Sequence, residues 1–313
     1  MKKSIALIGG SGFIGTNLTI FFLENGYSVI SIDKNPNSNY TFSSDHYEER
    51  LLDVNKTSLL IDYTKDTENV IWLVSDLIPA TSMDSLVDDF IFNINPLIKF
   101  LEHAKTLRKL RKFIFISSGG AIYGNSFNNN KFKEDYPKNP VSAYGLSKLI
   151  AESYIHFLSK DDLFNRIVLR PSNVYGKFQN LVRPQGIVGV AFKSIQDKKP
   201  IELYSRGQIV RDFIHVVDLA KAIKSCIESK IEMSNFEIFN VGSGVGISIS
   251  EILDLVNFIS KSQIETIIKP ARSVDSNYSV LDTTLIKAAL NWQPTITLND
   301  GLADVWDWMQ KLN

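Results

Sequence analysis

At 313 residues with 44% apolar side chains, the chain has material for one large α/β domain or two modest ones around a substantial core. Lysine plus arginine equals aspartate plus glutamate at 34 each, so no net field favours nucleic acid or an anionic membrane, and an anionic ligand must be met locally. One cysteine, Cys226 in the helical pattern AIKSCIES, excludes a disulfide framework and a cysteine metal cage and reads as a buried structural thiol.

The N-terminal MKKSIALIGGSGFIG joins two lysines to a short apolar run, but glycines interrupt it and no long apolar stretch follows. It predicts a soluble, cytoplasmic protein. In chain order the runs SIALIG, YSVISID, ENVIWLV, KFIFISS and NRIVLRP alternate with helical stretches such as GTNLTIFFLEN and PLIKFLEHAKTL. That alternation predicts βαβ units, hence an α/β fold with a doubly wound parallel sheet over residues 1–170. NSFNNNKF at 125–132 reads as a surface loop. Beyond Arg170 turn formers accumulate, and helices are predicted at 186–196, 216–229 and 248–261 with short strands between them. FEIFNVGSG at 236–244 reads as a buried strand that returns to the first sheet. The expected division is therefore a sheet domain over 1–170 with return segments near 212–242, and a smaller α/β domain from 171–211 and 243–313.

ALIGGSGFIGTNL sets Gly9, Gly12 and Gly15 in a G-x-x-G-x-x-G pattern between a strand and a helix. Such a turn admits a pyrophosphate to a helix N-terminus, where free N–H groups and the helix dipole favour anions. Asp33, 18 residues after Gly15 at the end of the second strand, suits both hydroxyls of an adenosine ribose and would repel a 2′-phosphate. NAD is thus expected in preference to NADP, a preference that Lys34 weakens slightly. SAYGLSKLIAESY places Tyr144 and Lys148 at i, i+4 on one helix face. A tyrosine is a poor base at neutral pH unless its phenolate is stabilised, and a nearby ammonium and a positive nicotinamide are the expected sources.

With these motifs the chain resembles an extended short-chain dehydrogenase/reductase of the NAD-dependent epimerase/dehydratase family, in its UDP-sugar 4-epimerase-like branch. SSGGAIYG, Asn93 in NINPLIKFLEHA, LRPSNVYG, VRDFIHVVDLA, FNVGSG and LNWQP extend the likeness nearly end to end. The resemblance implies a Rossmann domain, bound NAD and a nucleotide-sugar substrate. Phe13 and Ile14 fall in the glycine motif. Asp53 and Val54 resemble the pair that meets the adenine, and Leu73, Val74 and Ser75 border the nicotinamide ribose. Asn93, Ser117 and Pro171 join Tyr144 and Lys148 among the cofactor contacts, Pro171 beside the nicotinamide. Asn173, Tyr204, Arg211 and Arg272 match positions that meet the nucleotide-sugar, where guanidinium groups fork onto phosphate oxygens. His215 in DFIHVVD is expected to be structural. The helices near 93–108 and 144–159 are those through which relatives form homodimers.

The family places a catalytic Ser or Thr four residues before the strand-end tyrosine, and counting back from Tyr123 gives Gly119. Ser118 is expected to take that role in preference to Ser117, with the Gly119–Gly120 pair letting the backbone bend; Gly119 would border the substrate. Family dehydratases and decarboxylases carry an acid just after this hydroxyl, where this chain has Gly120 and Ala121. Oxidation and reduction at one carbon remain, so a nucleotide-sugar 4-epimerase is expected, with a 4-keto-sugar reductase as the alternative. A non-catalytic dinucleotide sensor fits less well, since such proteins lose the Tyr or Lys. No metal is expected, because the four histidines have no ligand spacing.

Overall fold

The apolar runs become neighbouring strands of one sheet in a computed structural model of the chain, which describes residues 3–75, 86–126, 128–160, 163–181, 186–229, 236–270 and 277–312. In chain order the strands are β1 (Ser4–Ile8), β2 (Ser28–Asp33), β3 (Tyr47–Leu51), β4 (Asn69–Trp72), β5 (Lys112–Ile116), β6 (Asn165–Pro171) and β7 (Asn173–Tyr175). They continue with β8 (Ile201–Tyr204), β9 (Val210–His215), β10 (Phe236–Val241), β11 (Gly246–Ser248), β12 (Thr266–Lys269) and β13 (Tyr278–Ser279). Seven make a parallel sheet in the order β10-β6-β5-β4-β1-β2-β3. Strand order reverses between β1 and β4, and in such sheets ligands bind in the crevice outside the strand C-termini at that point.

The central strands read as unbroken apolar runs because helices bury both faces. On one face Leu18 and Phe22 of the helix Phe13–Glu24 meet Leu219 and Ile223 of the helix Val216–Glu228 over Ile5, Leu7 and Ile114. On the other, Leu97 and Phe100 of the helix Asn95–Ala104 join Ala151 and Ile155 of the helix Ala143–Phe157 over Ala6, Val70 and Phe113. The segment 236–241 pairs with β6, Phe239 opposite Leu169, and so extends the first sheet. The helix Thr284–Leu290 packs there too: Ile286 and Trp292 share the core of β1 and β5. That packing sets the stretch 284–292 with the first sheet, inside the segment 243–313 that the sequence assigns mainly to the second unit. Asp218 helps anchor the chain that follows, accepting from the backbone N–H groups of Thr295 and Ile296 at 2.9 and 2.8 Å.

The second unit has its own core, in which Phe192, Val256 and Leu302 come from the helices Ile187–Asp197, Ile249–Ser260 and Leu298–Gln310. Its strand β9 pairs with β7, β11 and β13, while β8 pairs with β12. Asp212 in β9 is fully buried and accepts from Ser243 N and Oγ at 2.8 and 2.7 Å, Gly244 N at 3.1 Å and Leu281 N at 3.2 Å. Burial holds this carboxyl above the usual carboxylate range, and these donors offset the rise only in part. The carboxylate thereby ties the strand of Arg211 to two loops. His215 caps the helix Val216–Glu228, its Nδ1 accepting from Val217 N at 3.4 Å, a structural post. No helix among the described residues is long and apolar enough to cross a membrane.

Candidate active site

The glycine turn divides its work among three positions. Gly9 has φ +85°, and a Cβ there would lie 2.9 Å from the Val74 nitrogen, so the turn and the Leu73–Val74 segment interlock. A Cβ on Gly15 would come within 2.3 Å of the Gly10 carbonyl oxygen, which lets the helix Phe13–Glu24 press on the turn. A Cβ on Gly12 would meet only the Gly9 carbonyl oxygen, at 4.0 Å: the protein's own packing does not need a glycine there, but a ligand against the turn would. Gly12 begins a helix that has no side-chain cap, Phe13 and Ile14 being its first residues, and the buried Ser11 Oγ has no partner.

Asp33 ends β2 with Oδ2 accepting from Ser11 N and Oδ1 from Asn35 N, each at 3.1 Å, so its carboxylate borders the turn. Bare backbone, an uncapped helix end, an orphaned hydroxyl and an adjacent acid fit a dinucleotide whose ribose is unphosphorylated. Asp53 lies just beyond β3 and turns its carboxylate onto Asn55 N at 2.9 Å, while Val54 packs toward the core. Ser75 closes the segment that follows β4. Two side chains without a sequence signal also reach the turn: Asn37 donates to Thr16 Oγ1 at 2.9 Å and Asn39 to the Ser11 carbonyl at 3.1 Å.

The chemical end is built where the helix Ala143–Phe157 meets the end of β5. Ser142 caps the helix by accepting from Gly145 N at 3.2 Å. A Cβ at Gly145 would stand 2.4 Å from the Ala121 carbonyl, so this helix lies hard against the short turn Gly119–Ile122. The contact sets the Tyr144 phenol where the Ser118 hydroxyl acts on it. One turn on, the Lys148 ammonium donates to the Ile116 carbonyl at 3.0 Å and lies 5.7 Å from the centre of the Tyr144 ring. Burial pushes Lys148 down to about 8, against the pull of Asp89 and Glu152, while burial pushes the Tyr144 phenol up and Ser118 lowers it only in part. In the protein alone, without the nicotinamide charge, the phenol is therefore raised.

Ser117 and Ser118 diverge as strand alternation requires. Ser117 is buried, and its Oγ donates to Glu152 Oε1 at 2.5 Å. Gly119 and Gly120 carry no positive φ; the chain turns there from the extended Ser118 into the short helical turn Gly119–Ile122. A Cβ on Gly119 would meet Leu281 Cδ1 at 2.7 Å and the Arg170 carbonyl at 3.0 Å, whereas Gly120 faces open space. A hydroxyl in the family's usual place would collide with Leu281.

Behind Ser117 lies a buried polar network that the sequence reading missed. Arg170 grips Glu152 through Nη2 at 2.6 Å and Nε at 3.0 Å, and donates from Nη1 to Tyr123 Oη at 2.8 Å; Tyr123 in turn donates to Asn240 at 2.7 Å. The available signal was Glu152 at i+4 from Lys148 and i+8 from Tyr144 on one helix face. Asn93, in the π-helical turn Phe90–Ile94, donates to Asp89 Oδ1 at 2.7 Å.

Pro171 ends β6 opposite Val241, and Asn173 in β7 donates to the Asp212 carbonyl at 2.8 Å, which sets it beside the strand of Arg211. Arg211 donates from Nη1 to the Val210 carbonyl at 2.9 Å. Tyr204 is in the separate β8–β12 pair and donates to Glu202 at 2.8 Å. Arg272 lies outside the described residues. Among the described residues no cluster of three or more His, Cys, Asp or Glu is placed to hold a metal ion.

A dinucleotide turn and a Tyr-Lys pair on the C-terminal edge of one parallel sheet define a cofactor-dependent enzyme of the dehydrogenase/reductase type. The chain belongs to the NAD dependent epimerase/dehydratase family, whose profile matches residues 5–242. It is 32% identical to a Methanocaldococcus jannaschii protein provisionally named a UDP-glucose 4-epimerase, with 99% of each chain covered. It is also 29% identical to the dTDP-4-dehydro-6-deoxyglucose reductase of Escherichia coli, with 96% of each covered. The crystal structure of the Thermotoga maritima UDP-glucose 4-epimerase with UDP-glucose is similar at a TM-score of 0.90 and 28% identity, covering 99% of each chain.

The two open and closed glycines separate binding from folding. Gly12→Ala is expected to keep the wild-type unfolding midpoint to within about 1 kcal/mol while losing most of its NAD affinity by titration calorimetry. Gly15→Ala, which must displace the Gly10 backbone, is expected to lower the midpoint itself.

Proposed function

We propose that the chain is an NAD-dependent nucleotide-sugar 4-epimerase acting on a UDP-hexose or UDP-N-acetylhexosamine through a 4-keto sugar. The observation that supports this reading is the buried Tyr144 phenol with Lys148 one turn on, 5.7 Å from its ring, beside a position, Gly120, with room for an acid but none present. Elimination of water would need a second proton-transfer group there.

On this reading Tyr144 as phenolate takes the proton of the sugar's C4 hydroxyl. Ser118 donates to the oxygen on which charge develops. Lys148 holds the nicotinamide ribose and adds positive potential near the phenol. NAD, when bound, would supply the hydride acceptor and donor at C4, and the 4-keto sugar would turn over in the site between the two transfers to present its other face. Tyr144 then gives its proton back to the C4 oxygen, so the protein ends each turnover unchanged. Asp33 meets the adenosine ribose, Asn173, Tyr204, Arg211 and Arg272 hold the nucleotide-sugar, and the second unit selects the sugar.

A 4-keto-sugar reductase is the second reading, favoured by the E. coli relative at 29% identity. It uses the same residues, with Tyr144 donating a proton to the C4 oxygen, but consumes reduced cofactor. The proposal includes a cytoplasmic location, in keeping with a lone buried thiol, and a homodimer. Val87, Phe90, Ile91, Leu146, Tyr154 and Phe157 are all exposed on the packed elements 86–94 and 143–157, an apolar face of the kind a subunit contact covers.

Incubation with NAD and a panel of UDP-, dTDP- and GDP-sugars, followed by proton NMR, should show inversion at C4 with no net change in reduced-cofactor absorbance. With NADH and a 4-keto sugar supplied instead, stoichiometric loss of NADH absorbance would establish the reductase. Ser118→Ala should lower kcat by about a hundredfold or more, whereas Ser117→Ala should chiefly lower the unfolding midpoint; equal small losses of kcat would remove Ser118 from the mechanism. Light scattering at micromolar concentration should give twice the chain mass, and a clean monomer would count against the dimer.

A further inference from the structure

The connection 34–46 between β2 and β3 has neither helix nor strand of its own. A connection of that length inside a compact domain is usually functional. It leaves Asp33 and turns back along the glycine turn. Asn37 is its internal post: the Oδ1 accepts from Asn39 N at 2.9 Å and Tyr40 N at 3.2 Å, while the Nδ2 donates to Thr16 Oγ1 at 2.9 Å. Asn39 donates to the Ser11 carbonyl at 3.1 Å, which sets the connection next to the open Gly12. On the sheet side Glu49 of β3 accepts from Asn37 N at 2.9 Å, and the Phe42 ring lies 4.4 Å from that of Tyr47.

A further tie runs out of the sheet domain. The Tyr40 side chain is exposed, yet its ring meets the Phe178 ring edge-on at 5.9 Å, and Phe178 meets Trp308 edge-on at 5.5 Å. Phe178 has φ +66°, a left-handed conformation that a bulky residue rarely adopts and that persists only where the surroundings over-determine it. Here they do. Asn17 of the helix Phe13–Glu24 donates to the Lys177 carbonyl at 2.8 Å, and the Lys177 ammonium pairs with Asp304 at 2.6 Å. Trp308 stands one turn beyond Asp304 on the helix Leu298–Gln310, so the same helix holds the neighbouring residue and receives the ring. The chain thus keeps an aromatic ring where glycine would be the unstrained choice, and that ring joins the connection 34–46 to the second unit.

We infer that Tyr40, Phe178 and Trp308 form a clasp that holds the connection 34–46 along the bound dinucleotide and so sets how fast the cofactor leaves. Tyr40 and Phe178 are positioning residues: they act through the segment of Asn37 and Asn39, which lies on the glycine turn. The inference requires that this turn holds the cofactor, and it does not require that a sugar is inverted.

Release is read by loading the protein with NADH, chasing with excess NAD in a stopped-flow instrument and following the loss of bound NADH fluorescence. Phe178→Gly deletes both ring contacts and suits the left-handed backbone, so it should fold and release NADH about tenfold faster than wild type. Tyr40→Ala, at an exposed side chain, should release it about fivefold faster. Phe178→Tyr keeps a ring and should restore the wild-type rate. The double variant Tyr40→Ala/Phe178→Gly should be no faster than Phe178→Gly alone, since one clasp opens only once. Should Phe178→Gly not fold, Tyr40→Ala against Tyr40→Phe asks the same question.

Release changed by less than about twofold in either folded single variant would overturn the inference and leave that ring a packing residue. A double variant whose rate multiplies the two single effects would overturn it as well, because the rings would then act separately. Release, and not turnover, is measured: a wild-type protein that inverts no sugar would refute the epimerase and leave the clasp still decided by these rates.

Discussion

The site depends on burying a phenol and an ammonium side by side at the end of β5. Taking Lys148 from an ordinary 10.5 to about 8 corresponds to roughly 3 kcal/mol against the charged form. That is a large fraction of the stability of an ordinary domain. The ammonium stays because a carbonyl and buried carboxylates face it, and because the Glu152–Arg170 pair fixes the helix that carries it to the sheet. The Ser142 cap, the tight contact at Gly145 and the room left by Gly119 all serve this one juxtaposition. Stability is given up where the chemistry needs a dry, charged crevice.

The cofactor end obeys a different constraint. There the backbone must come close to a ligand, and specificity lies in what the side chains leave empty. Gly12 is open and Gly15 closed, although both are glycines of one motif. Over this turn the segment after β2 is drawn down by Asn37 and Asn39, and its Tyr40 ring meets Phe178 at 5.9 Å, which in turn meets Trp308 at 5.5 Å. The segment over the glycine turn is thus connected through aromatic edges to the helix Leu298–Gln310 of the second unit.

Much of this was legible in the residues. The apolar runs, the glycine spacing and the Tyr-x-x-x-K pair are local signals, and each maps onto one element. What escaped has physical reasons. YEERL of β3 carries three charges because it is an edge strand with half-exposed side chains, so its composition reads as loop. Asp89 and Glu152 sit in helical stretches where an acid ordinarily faces water, and only tertiary contact reveals them as buried. The crowding at Gly119 could not be read locally either: Leu281 Cδ1, which a Cβ there would meet, lies 162 positions further along the chain. Nothing local shows that Trp292 belongs to the first core either.

The central claim is that the buried Tyr144 phenol, raised in the protein alone, becomes a base only when a positive charge arrives beside it. Tyrosinate absorbance titrated in the NAD-loaded and NADH-loaded protein, with Tyr144→Phe as the control, tests this directly. The account requires one tyrosine to ionise at least about one pH unit lower with NAD than with NADH, and that difference to vanish in Tyr144→Phe. Identical titrations in the two loaded forms would contradict it.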